Sequence, residues 1–531
     1  MHTDAIYLRP EIKIEPLVCR WHAFQHLVSP VQAALNIANR QVPLLESFLR
    51  SPSVHISASA DPALYGGAFV DLTEDDIPSV KALLVDTREQ GQALITLAND
   101  VRRLNNDVRS LAKGGNLDTL YGAVPAPLKG AVEFAYDTNN VPFFRIREAL
   151  LYGDGQGSDH LQEIMLQDVA DDGRKFFLNT PRVREDAAHV FIKIPFASPG
   201  LDALASARIK PTTLSDLSRA LDLDPDASER LAHFVTRDPP LRVSPDHLGD
   251  GVRLRYFGHA CVLAQTRDVS ILIDPTFAYQ RNDELATLTF ADLPDVIDYV
   301  VISHSHQDHF CLESLLQLRS RIRNILIPRN NTGSVADPSL KLVLTQLGFS
   351  GVRVMEDLDR LEVPGGAITT LPFPGEHSDL DIYTRQCIAI TLEERNFLFM
   401  VDSDAVDDAL YARLSRYFKN VDALFIGMEC HGAPLTWLYG PLLMKPVSRG
   451  DDQSRRGSGS NSARAFGVVE HIGARQVFVY AMGLEPWNNH LLGLEYTPDS
   501  IQMVESDRFI ARCEETGISS ERLKGCREMV F

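Results

Sequence analysis

The sequence predicts a two-domain α/β protein: a mixed α/β N-terminal domain over 1–245, followed by a layered α/β sandwich over 246–531. Three observations carry this. The chain has 531 residues, too many for one ordinary hydrophobic core. Between 236 and 251, Pro239, Pro240, Pro245, Gly249 and Gly251 break every periodic pattern. Beyond that break the texture changes to short β-rich runs separated by turns and helices, the pattern of strands packed in two groups with helices outside.

In the first domain, Leu94, Leu97, Val101, Leu104, Val108 and Leu111 alternate steps of three and four and stop at Gly114-Gly115, which predicts an amphipathic helix. Such a helix packs inside its own domain or serves as a dimer contact. Strands are expected at 175–178 and 189–195. Two short helices broken at Asp224-Pro225 are expected over 213–234. Their charges, Asp216, Asp222, Asp224, Asp226 and Glu229, are wrong for a DNA-reading pair.

In the second domain, 253–266 and 269–273 flank a turn at Arg267-Asp268 and predict a buried hairpin. Further strands are expected at 296–302, 324–327, 367–371, 387–392, 397–401, 423–426 and 477–480, with helices at 311–323 and 339–347. The stretch 446–463 is polar and rich in glycine and serine, which predicts a mobile loop able to act as a lid.

With 52 basic against 71 acidic side chains the net charge is -19, which repels a phosphate backbone, so nucleic acid is not an expected partner. The seven cysteines (Cys19, Cys261, Cys311, Cys387, Cys430, Cys513, Cys526) show no C-x-x-C spacing, and their odd number suits buried thiols in a reducing compartment. The start of the sequence lacks the pattern of a signal peptide, and no run approaches the ~20 apolar residues of a membrane span. A cytoplasmic protein without membrane contact is therefore expected.

The most informative residues are His304-Ser305-His306-Gln307-Asp308-His309, directly after the apolar run 296–302. Where a strand ends, residues i and i+2 point the same way, so His304 and His306 close on one ion. Asp308 and His309 then turn toward a second, so that one loop serves two metals.

This hexad resembles the defining motif of the metallo-β-lactamase superfamily, and the resemblance extends from about Arg253 to the end of the chain. It implies an αββα sandwich. Phe257-Gly258-His259-Ala260 and Ile273-Asp274-Pro275 look like the first hairpin of that fold, where His259 and Asp274 are expected to orient ligands or stabilise turns. At the next ligand position the superfamily has Gly-His, but here the residues are Gly375-Glu376-His377-Ser378. Glu376 takes the histidine's place, with His377 as the alternative. Asp402 ends the run 397–401, the usual origin of the metal-bridging aspartate, with Asp404 as competitor. His490, after 477–480, is the candidate for the last ligand. Exchanging imidazole for carboxylate adds charge and a hard oxygen donor, which favours a redox metal over zinc and gives His304, His306 and Glu376 the two-histidine, one-carboxylate set of non-haem iron oxygenases.

The whole pattern closely resembles the di-iron β-hydroxylases of chloramphenicol biosynthesis and their relatives. This resemblance implies a monooxygenase that hydroxylates the β-carbon of an amino acid, aromatic as in p-aminophenylalanine, held as a thioester on a nonribosomal peptide synthetase carrier domain. It uses two iron ions, O2 and an external electron donor, in antibiotic biosynthesis. Carried over, one iron is held by His304, His306 and Glu376, the other by Asp308, His309 and His490, with Asp402 between them. Glu429 is the candidate reader of a substrate amine. The N-terminal domain resembles a homodimerisation and docking module, which the helix through Leu94 and Leu111 would serve. Arg319, Arg321, Arg323, Arg329, Arg449, Arg455 and Arg456 are candidates for contact with an acidic carrier. The alternative is a di-zinc hydrolase of a thioester, lactone or phosphodiester, acting through metal-bound hydroxide.

Overall fold

The computed structural model describes residues 5–153, 157–168, 172–281, 284–493 and 495–531; Met1 to Asp4, part of the start read for a signal peptide, lie outside them. Two seven-stranded sheets face each other. The first runs in the order Val352–Met355, Ile322–Pro328, Ile297–Val301, Ser270–Ile273, Cys261–Gln265, Arg253–Gly258, Arg527–Val530. The second runs Arg360–Val363, Gly366–Leu371, Cys387–Leu392, Arg395–Val401, Ala423–Gly427, Gln476–Tyr480, Ser519–Arg522. Each joins an antiparallel half to a parallel half.

Strands covered on both faces read as continuous apolar runs, and these do. Ile271, Ile273, Val301 and Leu326 of the first sheet pack with Ile388, Ile390, Phe399 and Phe425 of the second to form the central layer. Helices Asp408–Leu414, Ser462–Ile472 and Ile501–Glu515 cover the outside of the second sheet. Helix Leu312–Leu318, helix Leu340–Gln346 and the N-terminal domain cover the outside of the first, in one core that includes Leu263, Leu272 and Ile325. The result is an αββα sandwich.

The N-terminal domain holds a four-stranded sheet, Trp21–His22, Lys13–Val18, Gln162–Gln167 and His189–Lys193, beside a group of helices. Among the described residues no sheet contains strands from both sides of 237–252. The helix expected through Leu94 is Gln92–Leu111, and Leu94, Leu97, Val101, Leu104 and Val108 are all buried. Its apolar stripe is spent on helix Pro30–Asn36 and its neighbours, so the stripe is not a dimer surface; only Leu111 is uncovered. No helix among the described residues is long and apolar enough to cross a membrane.

Three expectations fail for physical reasons. Residues 175–178 form no strand; Phe176 and Phe177 instead wedge edge to face into a turn, with the Phe177 N–H donating to the His490 carbonyl at 3.0 Å. The stretch 446–463 is not an open loop. It contains the helix Arg449–Ser454, and its glycines pair through backbone, Gly457 N–H with the Ala433 carbonyl and Gly459 N–H with the Glu429 carbonyl, both at 2.9 Å. Arg319 and Arg321 are buried. Arg319 pairs with Asp202, and Arg321 donates to the carbonyls of Phe290, Leu293 and Pro294, so neither faces a partner.

Candidate metal centre

Ligands in open α/β sheets gather beyond the carboxyl ends of the strands. Here one rim of the sandwich collects the chemistry-bearing loops. Asp274 follows Ser270–Ile273, the hexad follows Ile297–Val301, Glu376 follows Gly366–Leu371, Asp402 follows Arg395–Val401 and Glu429 follows Ala423–Gly427.

Within the hexad, the His309 and Phe310 N–H groups both donate to the His306 carbonyl, at 3.1 and 2.7 Å, and this tight turn folds His309 back beside His304. Their ring centroids are 4.1 Å apart. Asp274 sets the protons of both rings. Its Oδ2 lies 2.9 Å from His309 Nδ1 and 2.5 Å from Ser303 Oγ, and Ser303 Oγ lies 2.9 Å from His304 Nδ1. A carboxylate only accepts, so the Ser303 hydroxyl spends its proton on Asp274 and must accept from His304 Nδ1–H. Both histidines therefore carry their proton on Nδ1 and direct the Nε2 lone pair into the site, the arrangement that metal-binding histidines adopt.

Asp402 Oδ2 stands 3.0 Å from His309 Nε2 and 3.6 Å from His304 Nε2. Asp308 Oδ2 is 3.6 Å from His309 Nε2 and 3.0 Å from His259 Nε2. Glu376 Oε1 lies 3.1 Å from His306 Nδ1. Glu376 reaches that position through a left-handed backbone, φ +65°, after Gly375 at φ +85°. For a non-glycine residue this costs about 1–3 kcal/mol, so the surrounding packing must enforce it. The enforcing contact is the 446–463 segment, whose Ser458 carbonyl accepts from the Glu376 N–H at 3.2 Å, while Arg455 Nε donates to the Ser378 carbonyl at 3.1 Å.

The alternatives raised by the sequence occupy different places. Asp404 turns away into an ion pair with Arg464 at 2.6 Å. His377 stays close, its ring 4.4 Å from that of His306, but its Nδ1 is 2.7 Å from the Tyr439 hydroxyl. His490 is not brought to the group. After Gln476–Tyr480 the chain runs through the short helices Pro486–Asn488 and Asn489–Leu492, which turn the His490 ring toward the N-terminal domain. There it lies 5.3 Å from the ring of His22, in a separate cluster with Glu313. Beside Asp308 stands His259, its Nε2 3.0 Å from Asp308 Oδ2, the ligand-orienting place expected of it.

Sequence reasoning also missed Tyr439 and Gln25. The Tyr439 hydroxyl sits between His377 and His306, 3.1 Å from His306 Nε2, and Gln25 of the N-terminal domain donates to the carbonyl of Ser305. Nothing local marks either residue, since both stand in short, ordinary helical turns.

The electrostatics favour a cation. Burial alone would lower the His309 pKa, yet Asp402 and Asp308 outweigh it and raise it, the same pull toward positive charge at Nε2 that they would exert on a metal ion there. Burial raises Glu376, and it raises Glu429 together with the neighbouring Glu376, Asp402 and Asp308. So much negative charge in a dry site calls for a compensating positive one. His304 Nε2, His309 Nε2 and Asp402 Oδ1 are enclosed without a hydrogen-bond partner. The donors form two overlapping groups, His304-His309-Asp402 and His259-Asp308-His309, each with its ligand atoms within 4.8 Å of one another. Two adjacent metal ions fit this donor set. A cavity opens beside it, lined by His306, Asp308, Glu376, Asp402, Glu429 and Trp437.

A sandwich of this topology with paired-metal donors at one rim defines a protein of the metallo-β-lactamase fold. Residues 253–401 match the β-lactamase superfamily domain, and residues 7–239 match the diiron non-heme β-hydroxylase N-terminal domain. The chain is 34% identical over 521 residues, 97% of its length and 98% of the relative's, to the 4-amino-L-phenylalanyl-[CmlP-peptidyl-carrier-protein] 3-hydroxylase of Streptomyces venezuelae. It superimposes on the crystal structure of CmlA, a diiron β-hydroxylase from Streptomyces venezuelae, with a TM-score of 0.93 at 33% identity, covering 99% of this chain and 100% of that one. A variant of CmlA superimposes with a TM-score of 0.91 at the same identity and coverage. The chain belongs to the diiron non-heme β-hydroxylase family. It is accordingly an O2-dependent hydroxylase that works with two iron ions.

Proposed function

We propose that this enzyme hydroxylates the β-carbon of an aromatic amino acid, of the p-aminophenylalanine type, held as a thioester on a nonribosomal peptide synthetase carrier domain, in antibiotic biosynthesis. The relative from Streptomyces venezuelae is named for that reaction on a peptidyl-carrier-protein substrate, over nearly the whole length of both chains. The observation in this chain that carries the reading is the Glu376 carboxylate beside His306, where a hydrolase of this fold has imidazole. A hard, anionic oxygen suits a metal that must reach a higher oxidation state.

In this reading His304, His306 and Glu376 would hold one iron, and Asp308 and His309 the other, with Asp402 the carboxylate assigned to the space between them. His259 holds Asp308 through its 3.0 Å contact. The bound iron pair supplies the activation of O2. O2 gives one oxygen atom to the β-carbon and the other leaves as water, which consumes two electrons and two protons from an external donor. The protein's part is placement and dryness. Asp274 and Ser303 keep the imidazole lone pairs aimed inward, Phe176 and Leu178 of the N-terminal domain wall the cavity, and Glu429, which also lines it, is the residue this reading assigns to a substrate amine. The N-terminal domain is read as the homodimer surface; the uncovered side chains of Tyr121, Val141 and Leu150 support it.

The test is to reduce the iron-loaded protein without oxygen, add aminoacyl carrier and O2, and weigh the released amino acid. A gain of one oxygen supports hydroxylation. Release of the unaltered amino acid would mean thioester hydrolysis and end the reading.

A further inference from the structure

A second cavity, of about 570 Å³, lies between the two domains, with Arg40, Ser47 and Asn179 on one side and Thr436, Trp437 and Gln453 on the other. It adjoins the metal pocket, because Leu178, Pro434 and Trp437 line both spaces. Trp437 stands between them against Gly66, where a Cβ would come within 2.1 Å of the indole, so only glycine lets the ring lie there. The two spaces thus share a wall at the seam between the domains.

Arg40 gives the outer space its chemistry. Its Nη2 donates to the carbonyls of Thr436 and Trp437, which fixes the guanidinium on the cavity wall. Its Nη1 is enclosed and has no hydrogen-bond partner, and no carboxylate pairs with Arg40 among the described residues. Asp452, the acid on the same wall, spends Oδ1 on the Thr436 N–H at 2.9 Å. Burial pushes the Arg40 guanidinium down to about 9, so it stays cationic near neutrality. A fixed cation that no carboxylate neutralises, on the wall of a roomy cavity, is a site for an anion, above all a phosphate oxygen.

We infer that Arg40 and this cavity receive the phosphodiester of the carrier domain's phosphopantetheine arm. The inference rests on the carrier-bound substrate proposed above. That arm is linear, with the thioester at one end and the phosphodiester at the other. With the aminoacyl thioester at the iron ligands, the adjoining space that Arg40 lines is the one this inference assigns to the phosphate.

The iron-loaded full chain, titrated calorimetrically with phosphopantetheine, pantetheine and inorganic phosphate in turn, tests this. We expect phosphopantetheine to bind about tenfold or more tighter than pantetheine, the size of one charge-assisted hydrogen bond. The preference should vanish in Arg40→Met, persist in part in Arg40→Lys, and leave two irons per chain in both. Equal binding of the two arms by the unaltered protein overturns the inference without any variant. A preference that survives Arg40→Met overturns it too, as does inorganic phosphate binding as tightly as phosphopantetheine, which would mean an anion site unrelated to the arm. The reading of the enzyme as a hydroxylase is judged separately, by the mass of the amino acid from the unaltered protein, so the two can fail independently.

Discussion

The Asp274 carboxylate lies 2.9 Å from His309 Nδ1 and also accepts the Ser303 hydroxyl proton, so one buried acid governs the tautomers of two histidines that share the candidate metal site. Replacing it by Asn offers an N–H where only an acceptor serves. Asp274→Asn is expected to lower iron affinity and turnover about 10–100-fold, measured as iron per chain after dialysis. Full iron occupancy in the variant would show that Asp274 only braces the turn.

Glu376→His restores the imidazole found in hydrolases of this fold. The variant is expected to take zinc in preference to iron from a medium containing both, and to lose O2-dependent hydroxylation. Metal analysis and product mass check the two halves. Retained hydroxylation would remove Glu376 from its proposed role.

His490→Ala and His259→Ala separate the expectation from sequence from the arrangement in the fold. Since His490 stands with His22 and Glu313, its variant is expected to keep two irons, whereas loss of the His259 contact to Asp308 should weaken the second iron. Iron counts reversed between the two variants would contradict this.

Glu148, half-buried against the second domain, takes bonds from the Ser339 N–H at 3.0 Å and the Tyr152 hydroxyl at 3.2 Å, and burial pushes its carboxyl up to about 7. A raised acid binds more protons folded than unfolded, so its contribution is full below its ordinary value and is lost as the pH rises through about 7. The Tm of Glu148→Gln relative to the unaltered protein is therefore expected to rise by a few degrees between about pH 5 and about pH 8. A gap independent of pH in a calorimetric scan would refute it.

How much of this was legible depended on how far apart in sequence the cooperating groups lie. The hexad could be read because spacing by two at a strand end fixes direction, and the structure gathers His304, His306, Asp308 and His309 there. Glu376 and Asp402 follow strands as closely, and they join the same rim. His490 sits beyond its strand by an irregular path whose turns carry no periodic signal, and it goes elsewhere. Composition misled at 446–463, since glycine and serine suggest mobility while Gly457 and Gly459 are held by the carbonyls of distant residues. It misled again at Arg319 and Arg321, where a charge run suggests a surface but carbonyls and Asp202 satisfy buried guanidiniums. Tyr439 and Gln25 act only across the fold, so no local pattern announced them.

The amide of Gln25 grips the backbone of the very turn that carries His304 and His306, and Phe177 of the same half holds the backbone at His490. The first half of the chain is therefore part of the wall and frame of the reactive chamber.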